Sequence, residues 1–516
     1  MDVILWSGIK GDTLTGNNIM SRYIGPYKLK HWIKKSGYSS QVIDYIANLD
    51  SYQLYTATKK FITDKTLVIG LSTTFITDKL YTWSDGSSNL FPEHILKTAY
   101  KLKEEYPYIK FVLGGYGSEH VYGGPVWDAT IMSYKESCED IFVEYLNFIS
   151  KNNEPPLMKV IDNYFRITEG YKLQNTVFYR PHYYEARNKI YNIEHDDFRF
   201  TKEDAILHGE PLPLDISRGC IFACRFCAYP HLGKSKTDYI RGMEYVKEEL
   251  IQNFELFGTT SYMVLDDTFN ESLDKMDAFL KMTESLPFKI NYSAYLRVDL
   301  INRFPDTAYM LKESGVFGAF HGIESMHPYA SKLVGKGWNG TPQAREFIPE
   351  LYHNIWKREV PMHLNYIIGF PKETHEDVMD VLHWFKDAQL YSIDYTRLAL
   401  SDPTATHMFS TTSEFERNST KYGFKFLDPS KQALRTSWTN ETWTPGSLRH
   451  SLNIVTKFMD DNKLRGASIW SMGALMFLGF PKELILDKTR TGFDLTEFRN
   501  NLKNVYTRYY NLLMSL

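Results

Sequence analysis

Twice along its 516 residues, the chain alternates short runs of Val, Ile, Leu, Phe and Tyr with longer amphipathic stretches. That rhythm constrains the fold more than any other feature. A strand-length apolar run followed by a helical period buries both faces as a parallel sheet covered by helices. In the first 150 residues, segments 2–9, 41–45, 66–74, 108–114 and 128–134 read as strands. Helix-like stretches cover 19–35, 91–106 and 138–149. The expectation is an N-terminal Rossmann-like, doubly wound domain over residues 1–150. From 210 to 400 the alternation returns with six strands, 214–217, 261–266, 289–297, 316–324, 361–370 and 392–400. Helical stretches at 239–257, 273–286, 305–314, 344–358 and 376–388 separate them. Six such units predict a partial (β/α)6 TIM-type barrel, whose functional residues would sit at the C-terminal ends of its strands. Residues 151–209 lose the rhythm and read as a linker region beginning Lys151-Asn-Asn-Glu-Pro-Pro156. Residues 401–516 hold Trp438, Trp443 and Trp470 among helical stretches such as 448–460 and 495–513. They read as a mainly helical, aromatic-rich C-terminal domain expected to line or cap the open side of the barrel. The fold class is therefore α/β.

Charge excludes several function classes. A net charge of -3 gives no reason to expect a membrane-surface binder, and long nucleic acid is not expected as a partner because phosphate contacts need clustered Lys and Arg. The longest uncharged apolar stretch, 466–481, is interrupted by glycines and is shorter than the roughly 20 residues that cross a bilayer. No basic region precedes the apolar N-terminus, so no signal peptide is read there. A cytoplasmic protein with reduced thiols is expected. Four cysteines in so long a chain exclude a disulfide-built scaffold.

Three of those cysteines fall within eight residues, in Gly219-Cys220-Ile-Phe-Ala-Cys224-Arg-Phe-Cys227, directly after the first strand of the second α/β unit. Three thiolates can hold three irons of a [4Fe-4S] cluster, which ordinarily takes four cysteines. The fourth iron is then open to bind a substrate. The same residues allow a second reading, in which Cys220, Cys224, Cys227 and His231 form a tetrahedral zinc site.

The spacing Cys220-x3-Cys224-x2-Cys227, with Phe226 before the last cysteine, resembles the motif of the radical S-adenosylmethionine (radical SAM) superfamily. Successive strand ends extend the match: Val264-Leu265-Asp266-Asp267-Thr268-Phe269, then Gly322-Ile323-Glu324-Ser325, then Ile367-Ile368-Gly369-Phe370-Pro371 with Glu373 and Thr374. The resemblance covers about residues 210–400. It implies that Cys220, Cys224 and Cys227 ligate the cluster and that S-adenosylmethionine chelates the open iron. Asp266 or Asp267 would accept from its amino group, and Arg297, ending the strand with Tyr295, would pair with its carboxylate. Glu324 would take the ribose hydroxyls, and the Ile368-Gly369 backbone would lie against the adenine. In this superfamily a reduced cluster cleaves the sulfonium to a 5′-deoxyadenosyl radical. The resemblance thus implies a reductant such as flavodoxin or ferredoxin, and an organic or peptide substrate.

The N-terminal domain resembles cobalamin-binding domains through Tyr23-Ile-Gly-Pro-Tyr27, Gly37-Tyr38, Val42-Ile43-Asp44, Val68-Ile-Gly-Leu-Ser72-Thr-Thr74 and Val112-Leu-Gly-Gly115. Ser72, Thr73, Thr74, Gly114, Gly115 and Tyr116 would then face cobalamin. The chain departs from the best-known binders, whose Asp-x-His-x-x-Gly motif follows the first strand, because 8–16 contain no histidine. His120 stands at the right distance from Gly123, but Ser118 replaces the aspartate and the loop follows the wrong strand. Cys138 reads as a core or helix-start residue. Methylthiotransferases are excluded because their leading domain holds a second cluster and needs three further cysteines. The resulting expectation is a radical SAM enzyme that methylates an unactivated carbon or phosphorus with cobalamin as carrier. The alternatives are cobalamin-independent radical cyclisation, oxidation or rearrangement, and a non-catalytic iron–sulfur or zinc protein. His321, His363 and Tyr366 lie near the expected active face, where lone residues more often pack than react.

Overall fold

The computed structural model describes residues 1–8, 22–74, 76, 92–115, 126–132, 138–151, 177–178, 193–227, 239–336, 341–400, 413–427, 438–464, 472–491 and 495–516. Its first half is built on a six-stranded, fully parallel sheet. The strands are β1 (Val3–Trp6), β2 (Ser40–Ile43), β3 (Val68–Ser72), β4 (Lys110–Gly114), β5 (Ala129–Met132) and β6 (Val177–Phe178), in the order β2-β1-β3-β4-β5-β6. Successive side chains of a strand point to opposite faces, and the sheet sorts them accordingly. Val3, Leu5, Val42, Val68 and Val112 join one core with α1 (Ile24–Lys35) and α4 (Cys138–Ile149). Ile4, Trp6, Ile43, Ile69, Phe111 and Leu113 join another with α2 (Ser51–Phe61) and α3 (Glu93–Glu105). Helices on both faces make this sheet doubly wound, as the rhythm predicts. Cys138 begins α4.

Two features of this half differ from the sequence reading. The spacing of Leu54, Ala57, Thr58 and Phe61 buries one face of α2, and an Asp50–Gln53 capping box starts the helix. So few apolar residues among polar ones gave no visible period. Part of the stretch read as a linker also belongs to the body of the protein. Val177–Phe178 form the sixth strand, and residues 193–210 are tied down by buried ion pairs. Arg22 meets Glu210 at zero exposure, and Lys28 bridges Asp196 and Asp215.

The second sheet contains β7 (Leu212–Leu214), β8 (Ser261–Val264), β9 (Asn291–Leu296), β10 (Val316–Glu324), β11 (Met362–Ile368) and β12 (Ile393–Arg397). Each strand pairs in parallel with the next. No pairing joins β7 to β12 among the described residues, so this is the open, partial barrel that six βα units imply. The connecting helices are α5 (Met243–Phe257), α6 (Leu273–Glu284), α7 (Val298–Arg303), α8 (Asp306–Glu313), α9 (Pro328–Val334), α10 (Thr341–Glu350) and α11 (His375–Asp387). Pro349 lacks the N–H a regular turn requires, and α10 continues as a π-turn over Leu351–Ile355. The first barrel strand is shorter and earlier than the predicted 214–217, because the backbone after Leu214 turns to bond with the end of β8.

The described residues of the C-terminal region divide between the two ends of the barrel and the first sheet. A short segment, α12 (Glu414–Arg417), and the antiparallel pair β13 (Lys425–Phe426) and β14 (Trp438–Thr439) approach the upper strand ends. The longer helices go elsewhere. In α14 (Met472–Phe477), Gly473 packs against Pro211 and Ser261 at the beginnings of β7 and β8, the opposite end of the barrel. Helix α13 (Pro445–Asp461) packs beside α11, α15 (Lys482–Thr491) follows α14, and α16 (Leu495–Ser515) covers α2 on the first sheet. Among the described residues, no helix is long and apolar enough to cross a membrane.

Candidate functional site

The cysteine loop leaves β7 at the C-terminal edge of the barrel and is anchored before it begins. Asp266, just beyond β8, accepts from the Ile216 and Ser217 amides at 3.2 and 2.8 Å and from the Ser217 hydroxyl at 2.8 Å. Lys275 on α6 completes the anchor, 2.5 Å from Asp266 and 3.1 Å from Glu271, all at zero side-chain exposure. The two aspartates offered for the S-adenosylmethionine amino group thus differ in their surroundings. Asp266 is wholly buried and both its oxygens are engaged within the fold, which leaves half-buried Asp267 as the candidate.

Gly219 turns the chain at φ +76°, and Cys220, Cys224 and Cys227 follow outside any disulfide, the first and last partly exposed. Arg225 holds the loop from outside. Its amide donates to Val334 O, and its guanidinium donates to Leu333 O at 2.8 Å and Lys332 O at 3.2 Å, satisfying the last carbonyls of α9. Phe415 N in turn donates to Arg225 O, and Phe226 packs edge-on against Phe370 after β11. The motif's aromatic residue is therefore a packing contact between two strand-end loops.

Inside the loop, Cys220 Sγ lies 3.4 Å from the Thr268 hydroxyl, and Arg297 Nη1 lies 3.9 Å from Cys224 Sγ. The Arg297 guanidinium also sits 4.0 Å over the Phe222 ring and is held by Asp299 and by Lys336 O. Burial pushes the Cys224 thiol up, while the Lys336 and Arg297 cations pull it back toward the thiolate. Three thiols in one loop beside two cations suit a cluster that carries net negative charge. Among the described residues, no three His, Cys, Asp or Glu side chains converge to hold a single metal ion. A cubic cluster spreads its cysteines over separate irons, an arrangement that three thiols on one loop can meet. His231, the fourth ligand of the zinc reading, lies outside the described residues.

Glu324 ends β10 at φ +65°, with the register to β11 shifting between Gly322 and Glu324. Its carboxylate pairs with Lys336 at 2.5 Å, and Lys336 also donates to Gly322 O at 2.8 Å. Ile368 is fully buried, and Gly369 turns at φ +129°. An added Cβ on Gly369 would stand 2.9 Å from the Trp438 ring, and Gly369 O accepts from Asn440 at 2.9 Å. That carbonyl and α-carbon face thus pack against the C-terminal segment. Trp443 Nε1 bonds Phe370 O, and the Lys372 amide bonds the Thr442 hydroxyl, fastening the same loop.

Tyr295, Phe320 and His363 form a lateral row on the barrel's inner face. Phe320 stacks on His363 at 5.2 Å and meets Tyr295 edge-on at 5.0 Å. His363 Nδ1 is 2.9 Å from the Ser392 hydroxyl. His321 points the other way and stacks on Trp356, and complete burial pushes its imidazolium down to about 3. It is a neutral core residue. Sequence reasoning missed Lys336, Arg225, Phe222 and Lys275. Arg225 and Phe222 stand inside the cysteine motif, whereas nothing around Lys336 marks it.

At the C-terminal edge of the first sheet, small polar residues come together. Thr73 N donates to Gly114 O at 2.8 Å, and the Thr74 hydroxyl bonds Tyr23 OH at 3.3 Å. A Cβ on Gly115, at φ +97°, would stand 2.7 Å from the Thr74 hydroxyl. Ser72 ends β3, and Ser7, after β1, buries a hydroxyl with no partner. An edge of small side chains with an orphaned buried hydroxyl suits a ligand laid across the strand ends. Tyr116, Ser118, His120, Gly123 and residues 9–16 lie outside the described residues.

Residues 214–385 match the radical SAM superfamily. An uncharacterized methyltransferase of Pyrococcus horikoshii is 32% identical over 190 residues, which cover 36% of this chain and 38% of that protein. Among solved structures, the radical S-adenosylmethionine methyltransferase TsrM of Kitasatospora setae, with cobalamin and a [4Fe-4S] cluster bound, aligns with a TM-score of 0.60. It does so at 14% identity over 95% of this chain and all of that one. The cobalamin-dependent S-adenosylmethionine radical enzyme OxsB aligns with a TM-score of 0.51, at 12% identity over all of this chain and 72% of that one. The cysteine loop, the open barrel carrying it and these matches agree: residues 214–385 match the radical SAM superfamily, and the chain has the fold of TsrM and OxsB.

Proposed function

We propose that this protein binds a [4Fe-4S] cluster through Cys220, Cys224 and Cys227, cleaves S-adenosylmethionine reductively, and methylates an organic or peptide substrate at an unactivated carbon or phosphorus. The observation that carries the reading is the cysteine loop, with three cysteines outside any disulfide on one strand-end turn and the Arg297 and Lys336 cations beside Cys224. When bound, such a cluster supplies the electron that breaks the carbon–sulfur bond of S-adenosylmethionine, and a reductant of the flavodoxin or ferredoxin class would recharge it. The chain's own residues bind and orient. Asp267 is placed to accept from the amino group, a charge-assisted hydrogen bond. Arg297 and Lys336 offer positive charge to the carboxylate, and Glu324 offers oxygens to the ribose. The inner-face row of Tyr295, Phe320 and His363 lies below them, where it can enclose a substrate and keep water out.

The first domain, about residues 1–150, is the proposed cobalamin domain. Ser7, Ser72–Thr74, Gly114 and Gly115 form the edge on which the corrin would lie. Cobalamin would supply a methyl carrier there. The test is anaerobic reconstitution with iron and sulfide, then dithionite and S-adenosylmethionine, with 5′-deoxyadenosine as the readout. Wild type is expected to form it and to retain near-stoichiometric corrinoid, while Cys224→Ala forms none. Wild type equal to the Cys224→Ala background would overturn the radical reading, and trace corrinoid alone would reduce the first domain to a scaffold.

A further inference from the structure

Glu324 occupies a strained position. The Ser325 amide donates to Ile323 O at 2.9 Å, closing a three-residue turn around Glu324, whose φ is +65°. This is the uncommon form of the γ-turn, which a residue with a side chain adopts only when its surroundings impose it. Four hydrogen bonds around Ser325, Tyr366 and Glu373 impose it. The Ser325 hydroxyl bonds Glu373 Oε1 and receives the His327 amide at 3.0 Å. Tyr366 OH donates to the same Glu373 oxygen at 2.6 Å and receives the Met326 amide at 3.0 Å. One carboxyl oxygen therefore ties the turn after β10 to β11.

We propose that Glu373 is a positioning residue, which holds the 323–325 turn so that the Glu324 carboxylate faces Lys336 and the S-adenosylmethionine site. The assignment rests on the radical SAM reading only for the ligand that Glu324 meets. Glu373 does this work as a neutral acid. It has no exposed surface, and its Oε2 has no partner. The groups facing it are Ser325 from the turn, Tyr366 from β11, Tyr395 from β12 and Asp377 from α11, and none is a cation. Burial pushes its carboxyl up to about 8. A neutral acid still accepts two hydrogen bonds at its carbonyl oxygen.

Two readouts separate this idea from the one beneath it. Amide hydrogen exchange across residues 322–330 reports the turn with no S-adenosylmethionine present. Glu373→Ala is expected to exchange faster there, and Glu373→Gln, which keeps a carbonyl acceptor, to stay near wild type. Equilibrium binding of S-adenosylmethionine to the reconstituted protein reports the consequence. Glu373→Ala is expected to weaken it about tenfold with iron content unchanged, and Glu373→Gln less than about threefold. If Glu373→Ala fails to fold, Ser325→Ala removes the same bond and carries the comparison. Unchanged exchange and affinity in Glu373→Ala or Ser325→Ala, or a Glu373→Gln protein as impaired as Glu373→Ala, would overturn the proposal. Wild type that binds no S-adenosylmethionine would instead sink the radical SAM reading, and the exchange data would still decide the role of Glu373 in the turn.

Discussion

At Lys336 one side chain joins two functions, neutralising Glu324 and placing a positive charge near Cys224. Both partners are largely shielded from water, so removing one leaves a buried charge uncompensated. Such a loss costs about 3 to 5 kcal/mol. Lys336→Met is therefore expected to lower the denaturation midpoint and to weaken S-adenosylmethionine binding together, measured by urea unfolding and by equilibrium titration. Glu373 gives a pH signature at the same scale. Burial pushes its folded carboxyl up to about 8 from an ordinary value of 4.5, so between these values the folded state holds a proton that the unfolded state has lost. Its full contribution to stability is present below the unfolded value and is lost as pH rises to about 8. Glu373→Gln removes that dependence, so its stability relative to wild type should rise from pH 4.5 to about pH 8 and level off above it. A relative stability flat across that window would show that Glu373 is not raised. The cysteines were legible as residues because their spacing is itself the signal. Lys336 was not, since a lone lysine after a glycine reads as surface until the tertiary fold buries it.

The elements were legible where an apolar run and a strand coincide, as at β10, whose observed bounds match the predicted 316–324. They were less so where side-chain bonds end a strand early, as at β7. Asp266 captures the backbone after Leu214, and no periodicity reports that. The loop after β11 shows how an element end is decided from far along the chain. Gly369 lies under Trp438 and Leu398 at a φ that suits glycine. Gly369→Ala adds a methyl 2.9 Å from the Trp438 ring as well as backbone strain of about 1 to 3 kcal/mol. The variant is expected to unfold at lower temperature and to loosen residues 438–443, read by calorimetry and by Trp fluorescence. Unchanged melting would mean that the C-terminal segment does not clasp this loop.

Over the whole molecule, the C-terminal helix binds the protein's beginning to its middle. Tyr509 on α16 packs on Tyr45 at 5.1 Å and receives the Asp44 amide at 2.7 Å, while Arg22 lies over its ring and pairs with Glu210 before β7. Tyr509→Ala removes a fully buried aromatic side chain, which costs about 3 to 5 kcal/mol. Tyr509→Phe leaves the Asp44 amide unpaired at a cost of about 1 to 3 kcal/mol. Denaturant unfolding is expected to rank wild type, Phe and Ala in that order. Equal stabilities would show that α16 is loosely docked. The aromatic C-terminal residues suggested a cap over the barrel mouth, but composition could not say which surface they would cover. Among the described residues, Phe415, Trp438 and Trp443 pack at the strand ends, whereas Phe477, Tyr506 and Tyr509 cover apolar faces on the first sheet and beneath the barrel.

Period and spacing alone determined the α/β class, the two parallel sheets, the three-cysteine loop and its place after a strand, because each depends on residues near one another in sequence. Tertiary structure decided which of two adjacent aspartates is buried in an ion pair and which histidine faces the core. It also decided which lysine stands by the cysteines and where the C-terminal helices lie. These depend on partners tens to hundreds of residues away, such as Lys275 for Asp266 or Tyr509 for Asp44, and local sequence carries no trace of a distant partner.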